Sequence, residues 1–345
     1  MELALTGSAV WLIFLSGIAA VTSAVLILLL RPVLQRYALA RPNARSSHTI
    51  PTPQGGGIAV IAGTVIAIGL AAYLYPGAQI EPFRLTVVIA TAILLAVLGG
   101  FDDIKTLEII PRLIVQAIAV AAVILVLPDG LRVISVLPWW LERGLLFIGG
   151  IWFVNLVNFM DGIDWMTVAE VVPITAGLAI LGLMGALPFD ATLTAFALCG
   201  AMAGFAPFNR PVAKLFLGDV GSLPVGLLIA WMLMLLAGSG NVAAALLLPL
   251  YYVADATITL FRRLFKGEPM TSAHRDHFYQ RATAGGYTVP DVIARVFAVN
   301  LALVALAIVT VIISGTGIAI AALLLGLGAV IWLLVTFSRE KITAA

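Results

Sequence analysis

The chain has 345 residues, 62% of them hydrophobic and 10% charged, with a mean hydropathy of +1.13. Soluble domains carry roughly 25% charged residues, so this composition excludes an ordinary water-soluble globule. The formal net charge of +2 is small and gives no reason to expect nucleic acid as a partner, and the single cysteine, Cys199, excludes an intrachain disulfide.

Eleven apolar runs follow one another, at about 9–30, 58–75, 85–98, 113–127, 144–157, 168–187, 191–208, 221–237, 242–260, 292–314 and 318–337. With their polar edges included they approach the ~20 residues that cross a bilayer. The first run lacks the basic flank and cleavage site of a signal peptide and reads as a retained helix. The predicted fold is all-α: a polytopic membrane protein of about 11 transmembrane helices, forming a single domain over 1–345. Alternating loops leave all but Arg84, Arg132 and Arg143 of the 19 lysines and arginines on one side. Positive-inside bias makes that side cytoplasmic, with the N-terminus outside and the C-terminus inside. Trp139-Trp140 then falls on the outer side, as an interfacial aromatic pair.

Five loops on the basic side, at 31–57, 99–112, 155–167, 209–222 and 261–291, carry nearly all the polar chemistry. The first ends in Pro51-Thr52-Pro53-Gln54-Gly55-Gly56-Gly57. Prolines keep it extended, and glycines opening a helix permit close approach of a neighbouring helix or of a phosphate. Helix packing is the preferred explanation of the two. The second is Gly99-Gly100-Phe101-Asp102-Asp103-Ile104-Lys105, two adjacent carboxylates at the mouth of a span: either like charge makes one of them a proton acceptor, or the pair is interfacial charge with no task. In the third, Asn155, Asn158, Asp161 and Asp164 recur every three residues. On a helix they share one face, a polar stripe suited to a polar cavity.

The fourth loop reads Lys214-Leu215-Phe216-Leu217-Gly218-Asp219-Val220-Gly221-Ser222. A lysine suits phosphate, and an aspartate suits a magnesium ion that also binds substrate phosphates. The fifth contains His274, Arg275 and His277. This trio fits a diphosphate better than a zinc ion, which calls for a clearer third ligand.

Together these motifs resemble the polyprenyl-phosphate N-acetylhexosamine-1-phosphate transferases, over nearly the whole chain. Phe101-Asp102-Asp103, Asn158-Phe159-Met160-Asp161-Gly162-Ile163-Asp164 and Phe216-Leu217-Gly218-Asp219-Val220-Gly221-Ser222 carry the likeness most specifically. The resemblance implies transfer of a sugar 1-phosphate from a UDP-N-acetylhexosamine to undecaprenyl phosphate, with release of UMP. It implies Mg2+ (with Mn2+ as an alternative) on Asp219, and a catalytic pair, Asp102 and Asp103, that orients or deprotonates the lipid phosphate. Phe216 would lie against the uracil, Asn155, Asn158, Asp161 and Asp164 would line the donor pocket, and Lys105, Lys214, His274, Arg275 and His277 would contact phosphates. It further implies a bacterial inner membrane with the site on its cytoplasmic face, and allows a homodimer.

Two features depart from that family's usual pattern. Trp165 follows Asp-Gly-Ile-Asp where many members have glycine, and the Ala-His-Arg-Asp-His loop is looser than the histidine cluster of other branches. The likeness is to the O-antigen-type branch, with N-acetylglucosamine or 6-deoxy relatives such as N-acetylfucosamine and N-acetylquinovosamine as its sugars. The rival reading is an ion-coupled transporter, favoured by one residue, Asp255, inside the ninth run.

Overall fold

The computed structural model describes residues 2–40, 51–74, 80–268 and 275–339. It is helical almost throughout. The order is α1 (Glu2–Tyr37), a two-residue pair β1 (Leu39–Ala40) and β2 (Thr52–Pro53), α2 (Gly56–Leu74), α3 (Pro82–Ile104), α4 (Ile109–Leu125) and α5 (Trp139–Met160). There follow α6 (Met166–Leu183), α7 (Phe189–Asn209), α8 (Asp219–Gly238), α9 (Val242–Leu247), α10 (Leu250–Phe265), α11 (Phe278–Ala284), α12 (Val289–Ile312) and α13 (Thr316–Ser338). Among the described residues nine helices are long and apolar enough to cross a membrane, and α4 is a shorter apolar helix of 17 residues.

The expected ninth span is the exception. It is not one helix but two, α9 and α10, parted at Leu248-Pro249. Proline brings no N–H to the helical ladder, so a run of continuous hydropathy still breaks there. The break after α6 is real as well: Gly185 takes φ +84, and α7 restarts at Phe189.

Helix α8 is the hub. Its sequence is apolar on every side, and a helix with no polar face belongs in an interior. Every residue from Val220 to Ala237 is buried, against α2, α3, α5, α6, α7 and α9. Large apolar side chains are turned outward on the peripheral helices instead, as with Ile13, Phe14 and Leu29 on α1 and Leu324, Leu325 and Trp332 on α13. That distribution suits hydrocarbon and not water.

Small residues set the spacing. A Cβ on Gly200 would stand 2.0 Å from the carbonyl oxygen of Ser16, and one on Gly204 2.1 Å from that of Ala20, so α1 and α7 touch backbone to backbone. Glycines at the start of α2 and the end of α3 bring those helices equally close to α8. A Cβ on Gly57 would lie 2.2 Å from Gly221 Cα, and one on Gly99 2.2 Å from the Asp219 carbonyl oxygen. The glycines opening α2 therefore serve helix packing.

The two ends of the bundle differ. At one end Arg84, at the start of α3, pairs with the buried Asp190 at the start of α7 at 2.8 Å. There too Arg132 pairs with Glu142, and Arg143 donates to the carbonyls of Pro128 and Leu131. All three arginines assigned to the sparse side are thus engaged in structural contacts. The opposite end gathers the end of α3, the end of α5 and the starts of α2 and α8, and with them the acidic motifs.

Candidate active site

Helix α8 begins at Asp219, and its first N–H groups have no partner within the helix. Asp103 supplies one: its two carboxylate oxygens accept from the backbone N–H of Asp219 at 3.0 Å and of Val220 at 3.1 Å. The backbone carbonyl of Asp103 accepts in turn from Gln54 Nε2 at 2.6 Å. The second carboxylate of the doublet is thereby fixed as an anchor between three loops. Gly218, at φ +76, leaves room for it, since a Cβ there would fall 2.5 Å from Asp103 Oδ2.

Asp102 points the other way. It accepts from Leu107 N at 2.6 Å and from Arg112 Nη1 at 2.7 Å. The same guanidinium nitrogen lies 3.8 Å from Asp219 Oδ2, and the Asp102 and Asp219 side chains are within hydrogen-bond reach of each other. Asp219 Oδ1 accepts from Asn158 Nδ2 at 2.7 Å, and that amide also meets Ser222 Oγ at 2.9 Å. Of the two carboxylates Asp219 is the more open, at 28% side-chain exposure against 6% for Asp102.

Two carboxylates this close call for a cation between them, and Arg112 meets part of that demand. Among the described residues no three His, Cys, Asp or Glu side chains are arranged to enclose a metal ion. An oxygen-rich pair with an adjacent amide nevertheless fits magnesium, which typically takes one or two carboxylates from the protein and the rest of its shell from water and phosphate.

The third loop turns directly after α5. Asp161 accepts from Thr167 Oγ1, and burial, with Asp103 and Asp164 nearby, raises its carboxyl to about 6. A carboxylate so placed exchanges its proton close to neutral pH. Asp164 Oδ2 accepts from Ala213 N at 2.9 Å, tying this turn to the fourth loop. Asn155 sits one turn deeper in α5, buried and donating to Gln116 Oε1 at 2.7 Å. Trp165 takes φ 63, a left-handed conformation in which a bulky side chain costs of order 1–3 kcal/mol.

The fourth loop is stitched to the first. Phe216 N donates to Pro53 O at 2.9 Å, and Gly56 N and Gly57 N donate to Phe216 O and Leu217 O at 2.9 and 2.8 Å. This fixes the Phe216 backbone and leaves its ring half-buried. Lys105, Lys214 and Arg275 are exposed. Residues 41–50 of the first loop, and His274, lie outside the described residues.

His277 is buried, its Nδ1 3.2 Å from Asp255 Oδ1. Asp255 itself is wholly buried, and its carboxylate also accepts from Phe278 N, Tyr279 N and Tyr251 Oη. It is the anchor of the fifth loop. Arg262 and Arg263 at the end of α10 grip Asp276 on the same segment, by its carbonyl and carboxylate respectively. From there the Tyr279 hydroxyl reaches Phe159 O at 3.3 Å, beside the Asp161-Gly162 turn. All five loops form one connected assembly. Asp255→Asn would set an amide N–H against backbone donors, at a cost of roughly 1–3 kcal/mol. We expect a lowered thermal midpoint in detergent and faster proteolysis between α10 and α11; an unchanged midpoint would deny Asp255 its anchoring role.

Arg112, Tyr279 and Thr167 belong to the assembly and carry no signal of their own in the sequence, while Gln54 and Ser222 stand inside recognisable motifs that give them no role. Asn158 is legible as part of a polar stripe, but its partner, Asp219, lies 61 residues away.

Residues 85–237 match the family model for glycosyl transferase family 4. The chain is 25% identical, over 78% of its length and 77% of the relative's, to a probable undecaprenyl-phosphate N-acetylglucosaminyl 1-phosphate transferase of Bacillus subtilis. It is 26% identical to an undecaprenyl-phosphate alpha-N-acetylglucosaminyl 1-phosphate transferase of Salmonella typhi, over 76% and 74% of the two chains. With a decaprenyl-phosphate N-acetylglucosaminephosphotransferase of Mycobacterium tuberculosis it shares 29% identity over 73% and 70%.

Proposed function

We infer that this chain, a member of the polyprenyl-phosphate N-acetylhexosamine-1-phosphate transferases of glycosyl transferase family 4, moves N-acetylglucosamine 1-phosphate from its UDP-sugar to a polyprenyl phosphate. An oxygen of the lipid phosphate joins the sugar-bearing phosphorus, the bond from that phosphorus to the UMP oxygen breaks, and the sugar C1–O bond stays intact. The observation that carries this reading is the meeting of Asp102, Asp103, Asn158 and Asp219 from three separate loops at one end of the bundle.

Phosphoryl transfer asks a protein mainly for positioning and charge neutralisation. Asp219, with Asp102, would hold magnesium, which supplies charge neutralisation on the donor diphosphate. Arg112 neutralises the same pair from the protein side. Asp103 fixes the start of α8 and so the aim of Asp219. Phe216 offers an aromatic face to the uracil, and Lys105, Lys214 and Arg275 offer charge to phosphates. Asp161, its carboxyl raised by burial, is one carboxylate suited to take up a proton. The acceptor is undecaprenyl phosphate and the setting the cytoplasmic face of a bacterial inner membrane. The gathering of Lys105, Arg112 and Lys214 at the site end, opposite Arg84, Arg132 and Arg143, supports that orientation. The product starts a lipid-linked envelope polysaccharide of the O-antigen type, with 6-deoxy N-acetylhexosamines as further donors to be tested. The transporter reading loses its one support, because Asp255 anchors a loop.

Purified protein with undecaprenyl phosphate and magnesium should release UMP from UDP-N-acetylglucosamine or a 6-deoxy relative, only when lipid is present, and chelation should stop it. Folded protein that releases UMP from none of these donors would overturn the reading.

A further inference from the structure

Trp165 is the sole non-glycine residue with positive φ among those described. Glycine would adopt that backbone freely, and strain of this kind persists only where the surroundings over-determine it. Here the surroundings are specific. The indole Nε1 donates to Ala206 O at 2.6 Å, near the end of α7, and the Trp165 backbone N–H donates to Asn209 Oδ1 at 2.8 Å. Asn209 is buried and passes the contact on, its Nδ2 donating to Leu215 O at 2.9 Å. One residue earlier, Asp164 accepts from Ala213 N. Lys214 N and Leu215 N return to Phe208 O at 2.9 and 3.1 Å.

The segment from Ala206 to Phe216 is therefore hung on Asp164, Trp165 and Asn209. It carries Lys214 and Phe216 and leads directly into Asp219. We propose that Trp165 is a positioning residue: its indole clamps the Asp161–Asp164 turn to the Phe216 segment, and thereby sets the width of the pocket for the nucleotide-sugar donor. The inference rests on the transferase reading above. Its consequence is selective: the donor pocket loosens when the clamp is removed, while Asp102, Asp103 and Gln54, which bond to neither Trp165 nor Asn209, keep their places.

Two variants separate strain from clamp. Trp165→Gly removes both the strain and the indole bond, and Trp165→Phe keeps a ring on the strained backbone but lacks the N–H. With UMP release as the assay, Trp165→Gly should raise the donor KM about tenfold, the scale of one lost buried hydrogen bond. Its kcat should stay within about threefold and its polyprenyl-phosphate KM within about twofold, and Trp165→Phe should fall between. Amide hydrogen exchange supplies a readout free of activity: Ala213 and Leu215 should exchange about tenfold faster in Trp165→Gly, with α8 unchanged.

Unchanged exchange over 206–216 would overturn the clamp whatever the kinetics. Faster exchange with both KM values unaltered would overturn its link to the donor. Uniformly faster exchange with a lowered thermal midpoint would reduce Trp165 to a general packing residue and overturn the proposal. A wild-type protein without transferase activity would sink the functional reading, and with it the assignment to a donor, while the exchange data still decide whether the clamp exists.

Discussion

Asp219→Asn should lower UMP release by about 100- to 1,000-fold without unfolding the protein, the range for removing one preorganised charge from a reaction centre. The substitution is close to isosteric. The Asn158 amide can still donate to the remaining carbonyl oxygen, and the backbone N–H of residue 219 still meets Asp103, so the start of α8 keeps its geometry. What disappears is one negative charge on the more open of two adjoining carboxylates, the charge that magnesium would use. The loss should therefore appear in kcat and in a raised magnesium requirement, with the thermal midpoint nearly unmoved. Removing the charge also relieves repulsion with Asp102 and Asp103, so stability should hold or rise slightly. Full activity at the wild-type magnesium dependence would remove Asp219 from the reaction centre.

This residue also marks how far the sequence could be read. Charged residues are expensive in hydrocarbon, so carboxylates between apolar runs point to a membrane border before any coordinates exist. Alternation of the runs then carries Asp102, Asp161 and Asp219 to the same border. Roles within the border are another matter, because they depend on contacts between distant loops. Asp102 and Asp103 are neighbours with like chemistry, yet one meets Arg112 and the other caps α8, 116 residues on. The residue that neutralises the pair, Arg112, looks in sequence like one more basic flank. Asp255 looks like an intramembrane ion site, and only the fold shows three of its contacts to be groups of the 277–279 turn. The ninth run had its break written in it at Pro249, but hydropathy averaged over a window is blind to one missing N–H. Trp165 was visible as a departure from a resembled pattern; its left-handed backbone was not, because φ is set by the turn it must close.

Adjacent glycines offer the second large effect, with its control built in. Gly99→Ala should lower the thermal midpoint and cut transfer at least about tenfold, while Gly100→Ala should leave both close to wild type. In a helix interior alanine is favoured over glycine by roughly 0.5–1 kcal/mol, so propensity alone predicts that both changes stabilise α3. Contacts decide otherwise. A Cβ at 99 would stand 2.2 Å from the Asp219 carbonyl oxygen and 2.5 Å from Val220 N, main-chain atoms of α8 that cannot rotate away. At 100 the nearest atom is a methyl of the Val220 side chain at 3.7 Å, an ordinary contact. To admit the methyl group at 99 the ends of α3 and α8 must part. Overpacking of this kind costs about 1–3 kcal/mol or more. The displacement also falls on the Asp103 contacts to Asp219 N and Val220 N and on the meeting of Asp102 with Asp219, so the chemistry suffers beyond the loss of stability. Thermal unfolding and UMP release for the two variants side by side test the argument. Equal behaviour at 99 and 100 would show that the backbone contact between α3 and α8 does not set the geometry of the carboxylates.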